Sequence, residues 1–264
     1  MAVSTTMSTM VSTAGSRVLA LGRAELTLLG RSKTALYMGL LMPAVMVYAM
    51  HSVVAGVDLD KAGMSVAAVS VTGGFGFVLV LAVYQNLVTA YVARREELVL
   101  KRLRTGEASD VEILAGTAIP AVLVALAQCV LLVVAGVVWL KLGAVHRPEL
   151  LLAGLVFGVV LCVTLAAATA AWAKSVEGAQ FVTTPLFLIS MAGSGLVVPL
   201  EAMPDGVAQI CRLLPLTPAM QLMRGGWLGG VDAVDALRDV LTALVWVALG
   251  VFAVRRWFRW EPRR

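Results

Sequence analysis

The segment YVARREELVLKRLRTGEAS, residues 91–109, concentrates charge in an otherwise apolar chain and also holds leucine and valine side chains. On a helix, Glu96, Val99, Leu100 and Leu103 fall on one narrow face, because they are spaced by three, four and seven residues. The chemistry that such a face offers is docking against another protein surface. The pattern therefore predicts a short docking helix, and the alternative is a charged loop whose leucines contact the chain's own helices.

Motifs for catalysis and cofactor binding do not occur in the sequence. It has no GxxxxGK[ST] loop to cradle a nucleotide, no HExxH or CxxC pair and no GxSxG nucleophile setting, and its two histidines argue against a metal site. We therefore predict a chain that is not an enzyme and binds no cofactor of its own.

The composition is that of a membrane protein. Of the 264 residues, 60% are hydrophobic and 14% are charged, whereas a soluble domain carries about 25% charged residues. Long charge-free windows each exceed or approach the roughly 20 residues that a helix needs to cross a bilayer. We predict an all-α integral membrane protein with six transmembrane helices, at about 35–57, 64–93, 113–140, 150–173, 178–200 and 239–258.

The energy source follows from what these spans contain. With the bounds given above, the interiors of the six predicted spans contain no Asp, Glu, Lys or Arg. Ion-coupled transporters usually use such groups at membrane depth to bind or relay the driving ion. Any energy is therefore expected to come from a partner on the cytoplasmic side.

Orientation is predicted from the basic residues. Of the 21 Lys and Arg, 15 fall on the side of the two termini and of the loops after the second and fourth spans. By the positive-inside rule, both termini are cytoplasmic. The net charge of +5 is then explained by orientation and by anionic membrane lipid, so we predict no nucleic-acid partner.

The N-terminal region divides into two parts. Residues 1–14 are rich in Ser and Thr and predict a disordered tail, without the pattern of a cleaved signal peptide. Residues 15–33 separate basic from apolar side chains moderately well, which predicts a helix lying along the inner membrane surface; the alternative is a plain basic tail. We treat 15–264 as a single transmembrane domain.

Three further patterns concern how the helices begin and pack. Ser109 and Glu112 fit a capping box at the start of the third span. The glycines of TGGFGF, residues 72–77, favour close helix packing over lining a substrate path. The apolar residues of 201–239 predict short helices that dip into the outer leaflet or cap the bundle, rather than a loosely folded exterior domain.

Within that outer segment, local sequence suggests where a helix begins and ends. Thr217 followed by Pro218 is typical of a cap and a first helical residue. The glycine pairs at 225–226 and 229–230 predict the end of the helix that follows.

The whole pattern resembles the type-2 permeases of ATP-binding-cassette exporters. The segment after the second span resembles their R-E-x-G-T-L-K-R-L pattern, with Leu98 and Val99 in place of Gly-Thr and Glu107 where a proline is common. The matching residues are Arg95, Glu96, Leu100, Lys101, Arg102, Leu103 and Ser109. PLTPAMQLMR resembles the family signature before the last span through Pro215, Leu216 and Arg224, although Pro218 departs from it.

The resemblance implies a permease subunit that forms a homo- or heterodimer and binds two copies of a separate cytoplasmic ATPase, which holds ATP and Mg. The helix after the second span would couple to that ATPase, and the outer segment would contain re-entrant helices. The coupling residues implied are Arg95, Glu96, Glu97, Val99, Leu100, Lys101, Arg102 and Leu103.

The resemblance is nearest to daunorubicin-resistance exporters, and it implies export of a drug, lipid or other amphipathic molecule. The excess of arginine over lysine suits a GC-rich bacterial genome, and hence a bacterial plasma membrane. Two other functions stay open at this point. One is a membrane anchor or assembly protein for a cytoplasmic partner, and the other is an ion-coupled carrier.

Overall fold

A computed structural model describes residues 47–54, 63–105, 109–258 and 260, together with the single positions 27, 41, 45, 56 and 59. The predicted tail lies outside the described residues, as do nearly all of the predicted surface helix over 15–33 and most of the predicted first span. Within that span, residues 47–54 are helical. The described residues form helices and connecting loops without a strand, which confirms the all-α prediction for this part of the chain.

The central element is a continuous helix from Val66 to Glu96. It consists of α1, Val66–Phe77; a π-helical segment, Val78–Gln85; and α2, Asn86–Glu96. The hydroxyl of Ser65 accepts a hydrogen bond from the Ala68 amide at 3.2 Å, which satisfies one of the amides that a helix start leaves without a partner. In the most apolar stretch of this helix, 83% of the residues are buried inside the molecule. In the corresponding stretch of the last helix of the chain, 11% are buried. Most of the other long helices therefore pack around this one, whereas the last helix of the chain packs mainly on Pro148–Ala170.

A tight turn separates α2 from α3, Val99–Arg104. After α3 comes α4, Asp110–Val138, which begins with the predicted capping box. The Glu112 amide donates to Ser109 Oγ at 3.4 Å, and the Ser109 amide donates to Glu112 Oε2 at 2.6 Å. This prediction is confirmed, and it fixes the direction in which the third span leaves the short helix.

Helix α5, Pro148–Ala170, begins with a proline, whose missing amide would have had no helical partner in any case. Helix α6, Val176–Gly193, is capped by Ser175, whose hydroxyl accepts from the Gly178 amide at 3.1 Å. This helix occupies the position of the predicted span 178–200, but it ends at Gly193, seven residues before the predicted end of that span. The reason is Gly195, whose φ of 74° cannot continue a right-handed helix.

The segment between α6 and the last helix is also helical for much of its length. A 3₁₀ turn at Leu200–Ala202 precedes α7, Asp205–Cys211, and α8, Thr217–Leu228. The final helix, α9, is Ala233–Trp257. Most side chains of α8 are buried, and its main contacts are with α5. The apolar residues of α8 are therefore buried on the bundle as predicted, whereas Ile210 and Leu213 before it are 70% and 68% exposed.

Two local predictions for α8 are wrong. Thr217 is the first residue of the helix and its hydroxyl donates to the Cys211 carbonyl at 2.6 Å, so it does not cap the helix by accepting from an amide. Gly225 and Gly226 lie inside the helix. A Cβ on Gly226 would lie within 3.0 Å of the Arg147 carbonyl oxygen, so this glycine permits close packing on α5. Gly229, with a φ of 78°, ends the helix as predicted.

Four helices in the described part of the chain are long and apolar enough to cross a membrane: Val66–Glu96, Asp110–Val138, Pro148–Ala170 and Ala233–Trp257. They correspond to the predicted second, third, fourth and sixth spans. Helix α6 is not among them. It is 18 residues long and contains Glu177, Gln180 and Pro185. The count of six spans therefore remains a prediction.

Candidate functional site

The coupling segment, residues 95–103, begins with a buried arginine. Arg95 is 1% exposed, and its guanidinium donates to the carbonyl oxygens of Ala170, at 2.7 Å, and Ala173. These carbonyls belong to the last turn of α5 and the residues after it, where helical carbonyls have no intrahelical partner and carry partial negative charge. Arg95 therefore joins the end of α2 to the end of α5.

The leucines of this segment are not equivalent. Leu100 is fully buried, and α3 contacts α2 and α4, so this side chain packs inside the chain's own bundle. Val99 and Leu103 are half-buried. For Leu100 the structure therefore agrees with the second interpretation of the sequence, a leucine that contacts its own helices.

The opposite face of the coupling segment is polar and exposed. It is formed by Glu97, Lys101 and Arg102. Glu96 is exposed as well, but it does not share a helical face with Val99, Leu100 and Leu103 as predicted, because α2 ends at Glu96 and the left-handed turn at Leu98 follows. A partner that approaches this end of the molecule would meet these side chains first, with the half-buried edges of Val99 and Leu103 between them.

The segment is held at its far end as well. Arg104 Nε lies 3.1 Å from Asp110 Oδ1, and the Arg104 guanidinium lies 5.0 Å from the ring centroid of Trp260. Both partners are partly exposed, so each contact contributes little by itself. Together with the capping box at Ser109, they connect α3 to the start of α4 and to the chain after α9.

The signature residues of the outer segment cluster at the other end of the central helix. Pro215 and Leu216 are buried directly before α8. Arg224, within α8, is 2% exposed. Its Nε donates to Thr72 Oγ1 at 3.4 Å, and its Nη2 donates to the Gly195 carbonyl.

A carboxylate accompanies this second buried arginine. Arg224 Nη1 lies 3.8 Å from Glu201 Oε2, while Gln221 Nε2 donates to Glu201 Oε1 at 3.0 Å. Burial lowers the pKa of Arg224, and the charge of Glu201 opposes that shift. The arginine stays protonated because its pKa starts far above neutrality.

The sequence interpretation identified Arg224 but not its three partners. In the sequence, Thr72 stands out only as part of the glycine motif 72–77, and Gly195 belongs to no predicted feature. Glu201 did carry a signal, since it is the first charged residue after the charge-free window 178–200. Its pairing with Arg224 could not be read from position alone.

These observations define a multi-pass α-helical membrane protein with a buried arginine network at each end of its central helix. A family model for the ABC-2 type transporter matches residues 16–228, which is most of the chain. The chain belongs to the ABC-2 type transporter family, whose membrane domain is a permease component of ATP-binding-cassette transporters that assemble with an ATPase subunit. No curated protein matches it in a sequence comparison.

Proposed function

We propose that this chain is the permease subunit of an ATP-binding-cassette exporter of the bacterial plasma membrane, similar to the daunorubicin-resistance type. It moves a drug, lipid or other amphipathic small molecule, and a separate cytoplasmic ATPase binds ATP and Mg and supplies the energy. The observation that carries this proposal is the family match over residues 16–228, which includes both the coupling segment and the outer signature.

The structure supports the coupling segment as the place where the ATPase acts. The exposed residues Glu96, Glu97, Lys101 and Arg102 offer charges of both signs to a partner. On the inner side, Arg95 and Leu100 are fixed in the bundle. A displacement of α3 would therefore reach α2, α4 and α5 together, because all three are bonded or packed to this segment.

A second permease subunit, identical or not, would complete the transporter. Helix α9 presents exposed apolar side chains such as Leu241, Leu244 and Phe252, which suit lipid or another membrane helix. In this arrangement both termini lie in the cytoplasm, and α7 and α8 lie toward the outer leaflet as the short re-entrant helices.

Site-specific crosslinking in native membranes tests the proposal. A photo-crosslinking amino acid at Arg102 is expected to capture a chain that contains a GxxxxGK[ST] loop and hydrolyses ATP. The matched control is the same amino acid at Arg212, an exposed arginine at the other end of the molecule, which is expected not to capture that chain. Capture from Arg212 and not from Arg102 would contradict the assigned docking face.

Transport in sealed vesicles then separates a permease from a mere anchor. The chain with its ATPase is expected to move a fluorescent amphipathic dye only when ATP is supplied, and Arg102→Glu is expected to slow that transport about tenfold by replacing one charge-assisted contact. Arg256→Glu, an exposed arginine at the end of α9, serves as the control. Dye movement that follows a proton or sodium gradient without ATP would overturn the proposed energy source.

A further inference from the structure

A cavity of about 290 Å³ lies beside Arg224, between the 3₁₀ turn, α8 and the first turns of α9. We call it the Arg224 cavity. Charged side chains of both signs line it in equal number: Glu201, Asp235, Asp239, Arg212, Arg224 and Arg238. The remainder consists of Gln221, three glycines and the apolar side chains of Met64, Leu228 and Val231. A wall that is both charged and apolar is typical of a site for an amphipathic molecule.

Some of these charges neutralise each other within the wall. Arg238 Nη2 lies 2.9 Å from Asp235 Oδ1, one helical turn away on α9. Glu201 accepts from Gln221 and lies 3.8 Å from Arg224 Nη1. Besides these two pairs, the lining contains one further acidic side chain and one further basic side chain.

Those two are Asp239 and Arg212, and neither forms an ion pair with another side chain in the described part of the chain. In addition, Arg224 Nη1 is buried and has no hydrogen-bond partner among the described residues. A buried donor without a partner costs about 1–3 kcal/mol, and native structures rarely leave one in place without a reason. The cavity thus presents one carboxylate and one guanidinium that form no ion pair, although the charge of Arg212 attracts Asp239, and the buried Arg224 guanidinium adds positive charge behind its wall.

We propose that the Arg224 cavity binds a zwitterionic group in which a phosphate or similar anion sits close to an amine. The anion contacts Arg212, with the positive charge of the buried Arg224 behind the cavity wall, and the amine contacts Asp239. A purely anionic ligand would leave Asp239 repelling it, and a neutral ligand would satisfy neither charge. The volume suits a headgroup or a small zwitterion, and the apolar wall accommodates the carbon chain attached to it.

Two sources could supply this chemistry. One is the headgroup of a phosphatidylethanolamine molecule from the surrounding membrane, and the other is a soluble zwitterion. The site follows from the geometry of the cavity and does not depend on the identity of the ATPase. It can therefore be tested on the purified full-length chain without ATP or a partner subunit.

Calorimetric titration in detergent provides the main test, with glycerophosphoethanolamine, glycerol phosphate and ethanolamine as probes. The zwitterion is expected to bind at least about tenfold more tightly than either half, since only it makes both charge-assisted contacts. Glycerol phosphate that binds as tightly as the zwitterion would overturn the proposal, as would no binding of the zwitterion.

Variants at the rim of the cavity make the test specific. Asp239→Asn and Arg212→Gln are each expected to weaken zwitterion binding about tenfold. The matched controls are Asp205→Asn and Arg256→Gln, exposed residues outside the cavity, which are expected to change nothing. Arg224 is left intact because it also connects separate helices. Binding that survives both rim substitutions would show that the zwitterion binds elsewhere, and that result overturns the proposal.

Native mass spectrometry of the chain, extracted from mixed phosphatidylethanolamine and phosphatidylglycerol vesicles, distinguishes the two sources. Selective retention of phosphatidylethanolamine that Asp239→Asn abolishes assigns the cavity to a lipid headgroup. Calorimetric binding without such retention assigns it to a soluble zwitterion. A failed ATPase crosslink at Arg102 would leave both readouts unchanged, so the two proposals fail separately.

Discussion

Two buried arginines illustrate how a single residue connects distant parts of this chain. An unpaired charge in a protein interior costs several kcal/mol, so a buried guanidinium requires several acceptors. Arg95 finds them in the carbonyls at the end of α5, and Arg224 finds them in Gly195 and Thr72. Lysine has one compact ammonium group and could not reach two separated acceptors in the same way. The arginine side chain is therefore required at both positions for its shape as well as its charge.

Leu98 shows the opposite situation, a residue whose type does not suit its backbone. Its φ of 60° and ψ of 15° lie in the left-handed region, at the turn between α2 and α3. The family pattern that this segment resembles has glycine at position 98, and glycine adopts this backbone conformation without a steric clash. For leucine the same conformation costs about 1–2 kcal/mol.

Replacing this residue by glycine should therefore stabilise the protein. Leu98→Gly removes the clash but increases the entropy of the unfolded chain, so the net gain in the free energy of unfolding is about 0.5–1 kcal/mol. Leu98 is 40% exposed, so little apolar contact is lost. Thermal unfolding in detergent measures the change. Leu98→Ala keeps a Cβ and should show no gain, and a glycine variant that unfolds below the parent would contradict the argument.

At the scale of the element, the central helix depends on small residues for its position. A Cβ on Gly76 would lie 2.6 Å from Leu196 Cγ and 2.7 Å from Met220 Sδ. A Cβ on Gly73 would meet the backbone carbonyl of Leu196 and would lie 2.8 Å from Met50 Cε. The glycines of residues 72–77 thus let other segments approach the helix closely, which supports the packing role predicted from the sequence.

Substitution of Gly73 should be costly for this reason. Gly73→Ala forces a backbone segment to move, and overpacking of this kind costs about 1–3 kcal/mol or more. The matched control is Gly206→Ala in α7, where a Cβ would meet nothing within 4 Å. That substitution should be neutral or stabilising by up to about 1 kcal/mol, since alanine favours helix over glycine. Equal unfolding temperatures for the two variants would show that the approach of Leu196 is not tight.

The whole molecule has two chemically distinct ends, separated by the length of the central helix. From Thr72 to Arg95 this helix extends roughly 35 Å, slightly more than the thickness of about 30 Å of a hydrocarbon core. One end carries the coupling segment and the aromatic residues after α9, and the other carries the Arg224 cavity. Between them, α4 and α9 expose valine and leucine side chains such as Val130, Val134 and Leu241. Such a surface requires lipid or another membrane helix around it.

The predicted orientation is testable with cysteine substitutions on this framework. Arg102→Cys should react with a membrane-impermeant maleimide only from the cytoplasmic side, and Arg212→Cys only from the outside. The parent chain is the control, because its three cysteines are buried and should label weakly. Sealed vesicles of each orientation give the measurement. Labelling of both positions from one side would contradict the assignment of α7 and α8 to the outer face.

The class of the protein, four helices long and apolar enough to cross a membrane, and the start of α4 could all be predicted from the sequence. These features depend on local properties: the length of an apolar run, and a serine three residues before a glutamate. The resemblance to the permease family also came from local patterns, and the family model agrees with it over residues 16–228.

How those elements contact one another depends on the packing of the folded chain. The end of α6 depends on the turn at Gly195, and no charge marks that turn in the sequence. The burial of Leu100 depends on the positions of α2 and α4. The contact between Arg224 and Thr72 joins residues 152 positions apart. Hydrophobic periodicity records which faces are apolar, whereas the partner of each face is set by how the helices pack, and for that reason the Arg224 cavity could not be predicted from the sequence.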